Sequence, residues 1–211
     1  MKNKKKGWKD IGKMMSDNYE FFECIKDVLG LCGSDNELIN FIKERDLIER
    51  DFYIKTTHEK PLGSEFLRKI YDEIDPLSLI VKAHLFVENF LDEIIRIKFR
   101  NSQLILDRRD FTFSLKLDIL RSKNYLDEKL YSDIMLLNKL RNKFAHDLFY
   151  DISDFDMSKF YYCDGFYDKV KTNSKEAKRV LNIHILRIVL CQLLFRLTKK
   201  YPFISDIKIK K

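Results

Sequence analysis

The sequence lacks a long uninterrupted hydrophobic run. Its most apolar segment, residues 185–197, is interrupted by Arg187, Gln192 and Arg196, whereas a membrane-spanning helix needs about 18 consecutive apolar residues. The first ten residues are basic, but no apolar segment follows them as it would in a signal peptide. We therefore expect a soluble, cytoplasmic protein with no membrane partner.

Cysteine and carboxylate patterns of the kind that bind metals are also missing. The four cysteines (Cys24, Cys32, Cys163 and Cys191) are scattered, with no pair at the spacing of a metal-binding or redox motif. Reduced thiols are the simplest interpretation. No carboxylate cluster of the kind that holds Mg²⁺ is evident, so no metal or cofactor is expected. No helix-turn-helix with a basic recognition helix is evident either, which argues against direct reading of DNA.

Positive charge is concentrated at the two ends of the chain. The 211 residues carry a formal net charge of +7, of which residues 1–13 contribute +5 and residues 199–211 contribute +4. The body between them therefore carries −2. Solvated tails are the favoured interpretation, and nonspecific capture of RNA or DNA by those tails is the alternative.

Hydrophobic periodicity and capping residues predict an all-α fold. An N-terminal helical extension (residues 1–75) is expected to precede the main helical domain (76–200) and a basic C-terminal tail (201–211). Two regions are expected to interrupt the helices. The first is a β-prone segment (51–58) followed by a turn at Pro61 and Gly63. The second is an insert at about 150–172 with a β-hairpin around Asp164 and Gly165. Helices are predicted over 17–29, 35–50, 64–74, 76–100, 112–123, from Asp127 through residue 146, and from a capping box at Asn173 and Glu176 to about 200.

The helix over 76–100 has two polar residues on its core-facing stripe. Leu77, Ile80, Val81, Val87, Leu91, Ile94 and Ile95 form that stripe, and His84 and Glu88 fall within it. Because the two polar side chains are one turn apart, they are expected to face inward together. They are either a satisfied buried pair, with Glu88 neutralising Arg141, or support for a catalytic site around Arg141 and His146.

The segment LRNKFAHD, late in the helix that Asp127 begins, contains the chemistry of a phosphodiester site. Arg141 offers a permanently charged fork that matches phosphate oxygens, and His146 can both give and take a proton near neutral pH. Asn138, Asn142 and His146 recur every four residues and form a polar flank on this helix. The three residues Arg141, Asn142 and His146 are therefore the candidate catalytic group.

An Arg, a polar residue, three further residues and a His, placed late in a long helix, resemble the signature of the HEPN superfamily. Residues 79–94 and 113–147, followed by a long apolar helix, are similar to its mannitol operon repressor (MltR) branch, and the resemblance covers residues 76–200. It implies a helical bundle that pairs with a second copy, so that both motifs line one groove. HEPN toxins silenced by nucleotidylation carry a Tyr two places after the His, where this chain has Leu148, which argues against that control.

Two geometric questions remain open at this point. In a straight helix Arg141 and His146 would be about 140° apart, so either the helix frays or kinks near His146 or the two residues act across a dimer cleft. The final helix is apolar on nearly every side, so it is either the centre of the bundle or part of a subunit interface.

Two functions follow from the resemblance. The first is a metal-independent endoribonuclease, a toxin or antiphage effector, that cleaves RNA by attack of its 2′-hydroxyl and is restrained by an antitoxin or another regulatory protein. The second is a noncatalytic, MltR-like transcriptional regulator or dimeric interaction module. A purely structural role for the motif, with Arg141 bridging to Glu88 and His146 capping the helix end, is the third interpretation.

Overall fold

The computed structural model describes residues 34–56, 61–161, 172 and 174–202. The described residues are mostly helical and include no strand, which confirms the expected all-α class for this part of the chain. Seven α-helices are described, with 3₁₀ turns at Ile152–Asp154 and Met157–Lys159: α1 (Asp35–Thr56), α2 (Pro61–Tyr71), α3 (Pro76–Lys98), α4 (Ser102–Leu106), α5 (Phe113–Ser122), α6 (Glu128–His146) and α7 (Lys175–Lys200).

Several predicted features lie outside the described residues. These are the helix over 17–29, the two basic tails apart from residues 199–202, Cys24, Cys32 and Cys163, and the Asp164–Gly165 turn. The segment just before that turn is described as far as Tyr161: Lys159 ends a 3₁₀ turn and Phe160 is buried. The aromatic Phe160 therefore packs into the core.

Helix α7 is the centre of the bundle. It contacts α1, α2, α3, α6 and both 3₁₀ turns, and fifteen of its residues are buried. Among the described helices, α7 is long and apolar enough to cross a membrane by length and composition, but 67% of its most apolar window is buried inside the fold. This burial is typical of a core helix, and it favours the interpretation of α7 as the centre of the bundle over that of a subunit interface.

Capping side chains begin three helices where the sequence predicts them. Asp75 accepts a hydrogen bond from the Ser78 N–H at 2.8 Å at the start of α3. Thr112 does the same for α5, and Asp127 for α6. Each cap satisfies an N–H that has no partner within its helix, so these starts follow from local sequence.

Three predicted boundaries are wrong. Residues 51–56 continue α1 although they are β-prone, because β-propensity depends strongly on context. Pro61 begins α2 instead of marking a turn, since the first helical turn tolerates a residue without an N–H. The cap of α7 is Ser174, one residue later than Asn173; its hydroxyl accepts from the Ala177 N–H at 3.0 Å.

The described helices before α3 share one hydrophobic core with those after it. Helices α1 and α2 both contact α7, and α2 also contacts α3. Phe66 of α2 stacks on Phe86 of α3, with ring centroids 3.5 Å apart. Helix α3 is therefore held between α2 on one side and α5 and α6 on the other, and this position fixes the surface from which the motif projects.

Candidate active site

The motif residues lie in the last two turns of α6, beyond the part of this helix that is buried. Leu130, Ile134, Leu137 and Leu140 anchor the helix in the core. After them, Arg141 and His146 are exposed and Asn142 is half-buried. The candidate catalytic side chains are thus presented to solvent on a rigid element.

Arg141 has a neutral hydrogen-bond partner. Its Nη1 donates to the Asn142 Oδ1 at 3.0 Å, and within the described residues no carboxylate forms an ion pair with it. An amide fixes the direction of a guanidinium without neutralising its charge, so Arg141 remains able to bind an anion.

Glu88 contacts a cation, but that cation is Lys116 and not Arg141. The Lys116 Nζ lies 2.9 Å from the Glu88 Oε1 and 2.7 Å from the Asp92 Oδ1. Burial favours a lower pKa for Lys116, but its hydrogen bonds to Asp92 and Glu88 outweigh burial and raise the pKa. The expected pairing of Glu88 with Arg141 is therefore wrong, because Lys116 of α5 is the cation that pairs with Glu88.

His84 and Asn138 form a buried polar pair between α3 and α6. The His84 Nε2 and the Asn138 Oδ1 are 3.0 Å apart, and the Asn138 amide donates to the Ser114 Oγ at 3.4 Å. The imidazole stacks on Phe113, with centroids 4.1 Å apart. Burial lowers the pKa of His84 despite the Asn138 hydrogen bond, so the ring is neutral at neutral pH. The pair fixes α6 against α3 one turn before the motif.

Arg141 and His146 project in different directions from α6. Helix α6 is continuous to His146, so it does not fray before that residue, and five positions of a straight helix place the two residues about 140° apart. Of the polar flank, Asn138 is buried, while Asn142 is half-buried and His146 is exposed. One straight helix cannot direct both Arg141 and His146 at one phosphate.

Exposed apolar side chains lie on α3 and directly after the motif. Leu77, Val81 and Leu85 follow one another every four residues on α3 and are 43%, 37% and 54% exposed. Leu77 and Val81 were expected in the core stripe but are exposed; the side-chain contacts of α5 with α3 are made further along α3, at His84, Glu88 and Asp92. Leu148 and Phe149, directly after the motif, are each 94% exposed. We call these five residues the exposed apolar surface.

Comparison with protein-family models, with curated proteins and with solved structures finds no match to this chain. The functional assignment therefore depends on the residues and geometry described above.

A second polar cluster, not foreseen from the sequence, joins α1 to α7. The His184 Nδ1 lies 2.7 Å from the Asp46 Oδ1, and Arg187 donates to the other oxygen of Asp46. Tyr71 donates to Glu49 at 3.1 Å in the same cluster. The only sequence signal was that His184 and Arg187, three positions apart, interrupt an apolar helix.

The geometry of this cluster resembles a metal site, but its carboxylates already have cationic partners. Ligand atoms of Asp46, Glu49 and His184 lie within 4.8 Å of one another. Both Asp46 oxygens already accept from His184 and Arg187, and Arg45 pairs with Glu49 at 3.5 Å. Two guanidinium groups thus provide the positive charge that a metal would supply, and the cluster serves to hold α1 on α7.

Proposed function

We propose that this protein is a metal-independent endoribonuclease with an HEPN-type helical bundle, in which Arg141 of one copy and His146 of a second copy line one cleft. The supporting observation is that Arg141 is exposed and hydrogen-bonded to a neutral amide while Glu88 is occupied by Lys116. The structural explanation of the motif required Arg141 to bridge to Glu88. Without that bridge, phosphate binding is the best account of this arginine.

The proposed reaction uses the substrate's own 2′-hydroxyl. A bond forms between the 2′-oxygen and phosphorus, and the bond from phosphorus to the 5′-oxygen breaks, leaving a 2′,3′-cyclic phosphate and a 5′-hydroxyl. His146 moves the proton, a contribution of about 10² to 10⁴ in rate. Arg141 stabilises the charge that develops on the phosphoryl oxygens, and Asn142 orients the Arg141 guanidinium.

A second copy completes this site. Because Arg141 and His146 diverge by about 140° on one helix, the His146 of a partner chain is placed opposite Arg141 in this proposal, and the exposed apolar surface offers a face on which a partner can pack. In a twofold dimer the same surface is used by both copies. An antitoxin or other regulatory protein that binds the same surface would block the cleft.

The deciding experiment incubates purified protein with mixed RNAs in excess EDTA. Wild type is expected to cleave, and both Arg141→Ala and His146→Ala are expected to lose at least about a hundredfold in rate, because each removes a group that acts in the transition state. Lys139→Ala is the matched control, since it removes one positive charge from an exposed position of the same helix. Products are resolved by denaturing electrophoresis and tested for cyclic phosphate ends.

Cleavage that persists in His146→Ala, or that EDTA abolishes, would contradict this proposal. The alternative is a noncatalytic, MltR-like regulator or interaction module, which the high exposure of Leu148 and Phe149 favours. That alternative predicts a dimer by light scattering and intact RNA under all of these conditions.

A further inference from the structure

A cavity of about 210 Å³ lies one helical turn beyond Arg141. Phe144, which lines it, follows Arg141 by three positions in α6, so the two side chains are neighbours on the helix surface, about 5–6 Å apart at Cβ. A nucleotide that flanks a phosphate bound at Arg141 can therefore reach the cavity with its base.

The walls of the cavity suit a flat ring. Phe144 and Tyr150 meet edge to face, with centroids 5.1 Å apart, and Leu77 and Ile152 add apolar surface. Proteins that read single-stranded RNA commonly place unstacked bases against aromatic side chains and recognise their edges by hydrogen bonds.

Carboxylates supply the acceptors in the cavity. Asp147 and Asp151 both line it, and each uses one oxygen to accept a backbone N–H, from Phe149 at 3.0 Å and from Ser153 at 2.8 Å. Burial favours a higher pKa for Asp151, but its Ser153 bonds and nearby cations lower the pKa below its usual value. An ionised carboxylate has about four acceptor positions, so both can accept further hydrogen bonds from a ligand.

One cation completes the lining, since Arg179 is exposed at the cavity. Tyr150 contributes its aromatic ring, because its hydroxyl oxygen is buried and does not open to the cavity. The cavity thus combines several negative acceptors with one cation and an aromatic wall.

We propose that the cavity binds the guanine base of the nucleotide on the 5′ side of the scissile phosphate; this inference rests on the proposed ribonuclease function. Guanine presents two adjacent donors, the N1–H and the 2-amino group, to a carboxylate, and its O6 and N7 accept from Arg179. Uracil has one N–H between two carbonyl groups, and in the same orientation those carbonyl oxygens would face the carboxylates. Adenine and cytosine present an amino group without an adjacent N–H donor.

The test uses DNA oligonucleotides that contain one ribonucleotide, because only that residue has the 2′-hydroxyl that the reaction needs. We expect cleavage after riboguanosine to be roughly tenfold or more faster than after the other three ribonucleotides, as a paired carboxylate contact implies. Riboinosine, which lacks the 2-amino group, is expected to fall between them. Asp147→Asn and Arg179→Gln should reduce the ratio of guanosine to uridine cleavage toward one, and the exposed control Asp107→Asn should not change it.

Cleavage of all four substrates at one rate, or a guanosine preference that persists in the Asp147→Asn, Arg179→Gln double variant, would overturn the cavity assignment while leaving the ribonuclease proposal standing. If no RNA is cleaved, the ribonuclease proposal fails and binding tests the cavity alone. In that case calorimetry should find guanosine monophosphate binding roughly tenfold or more tighter than uridine monophosphate, with the difference lost in Asp147→Asn. Equal binding of the two nucleotides would overturn the assignment.

Discussion

At the scale of single residues, two buried histidines have opposite electrostatic surroundings. His84 lies against the neutral Asn138 amide and the Phe113 ring, and burial lowers its pKa. Burial also favours a lower pKa for His184, but the hydrogen bond to Asp46 and the charges of Glu49 and Asp46 outweigh burial and the opposing charge of Arg187 and raise the pKa. The surroundings of His84 therefore favour its neutral form, whereas those of His184 favour the protonated form.

These two shifts predict opposite effects of pH on stability. The folded state binds a proton at His184 more tightly than the unfolded chain does, so this contribution is complete below about pH 6.5 and is lost as the pH rises through the raised pKa. His84 binds its proton more weakly in the folded state than in the unfolded chain. Its contribution to the free energy of unfolding is therefore complete above about pH 6.5 and is lost as the pH falls toward the lowered pKa. Urea unfolding of wild type, His184→Gln and His84→Gln across this range measures both effects.

In a plot of unfolding free energy against pH, His184→Gln should flatten the alkaline side and His84→Gln should flatten the acidic side. Each variant is the control for the other, because both replace a buried imidazole by a neutral amide. If both variants keep the wild-type slope on both sides, the assigned charge states are wrong.

At the scale of helices, Lys116 joins α5 to α3. It contacts both Glu88 and Asp92, and only 8% of its side chain is exposed. Lys116→Met should leave two partly buried carboxylates without their cation and lower the free energy of unfolding by about 3 kcal/mol, the low end for breaking a buried pair because both carboxylates keep some exposure. Thermal or urea unfolding measures the loss.

Lys123→Met is the control for that substitution, since Lys123 is exposed just after the same helix; it should change stability by about 0.5 kcal/mol or less. Equal stability of Lys116→Met and wild type would show that the bridge contributes nothing. Glu88→Gln should likewise lower stability through Lys116, without a direct effect on Arg141.

The helix starts were predictable because a cap is a local device. Asp75, Thr112 and Asp127 each bond an N–H three residues later, so the signal lies within four residues of sequence. The partner of Glu88 lies 28 residues away on another helix, and periodicity along α3 cannot choose between Lys116 and Arg141. Periodicity also predicted that Leu77 is buried, although it is exposed. A helical stripe shows which face is apolar but not how far a neighbouring helix covers that face.

At the scale of the whole molecule, one of the two arguments for a dimer no longer applies. Most of the apolar residues of helix α7 are buried within one chain, so its apolar character does not require a partner. What supports a dimer is the angle between Arg141 and His146 on an unbroken helix, together with the exposed apolar surface. Replacing Leu85, which is 54% exposed, by Glu should therefore give a folded monomer with no ribonuclease activity.

A cleft shared between copies also predicts that two inactive variants restore activity when mixed. In a heterodimer of Arg141→Ala and His146→Ala, one cleft has lost both groups and the other keeps an intact Arg141 from one chain and an intact His146 from its partner. Random exchange makes half of the dimers mixed, so the mixture should recover roughly one quarter of the wild-type rate. The control is the Arg141→Ala, His146→Ala double variant mixed with either single variant, in which no cleft contains both groups. A mixture as inactive as its components, with heterodimers confirmed by native mass spectrometry, would place Arg141 and His146 in the same chain's site and contradict the shared cleft.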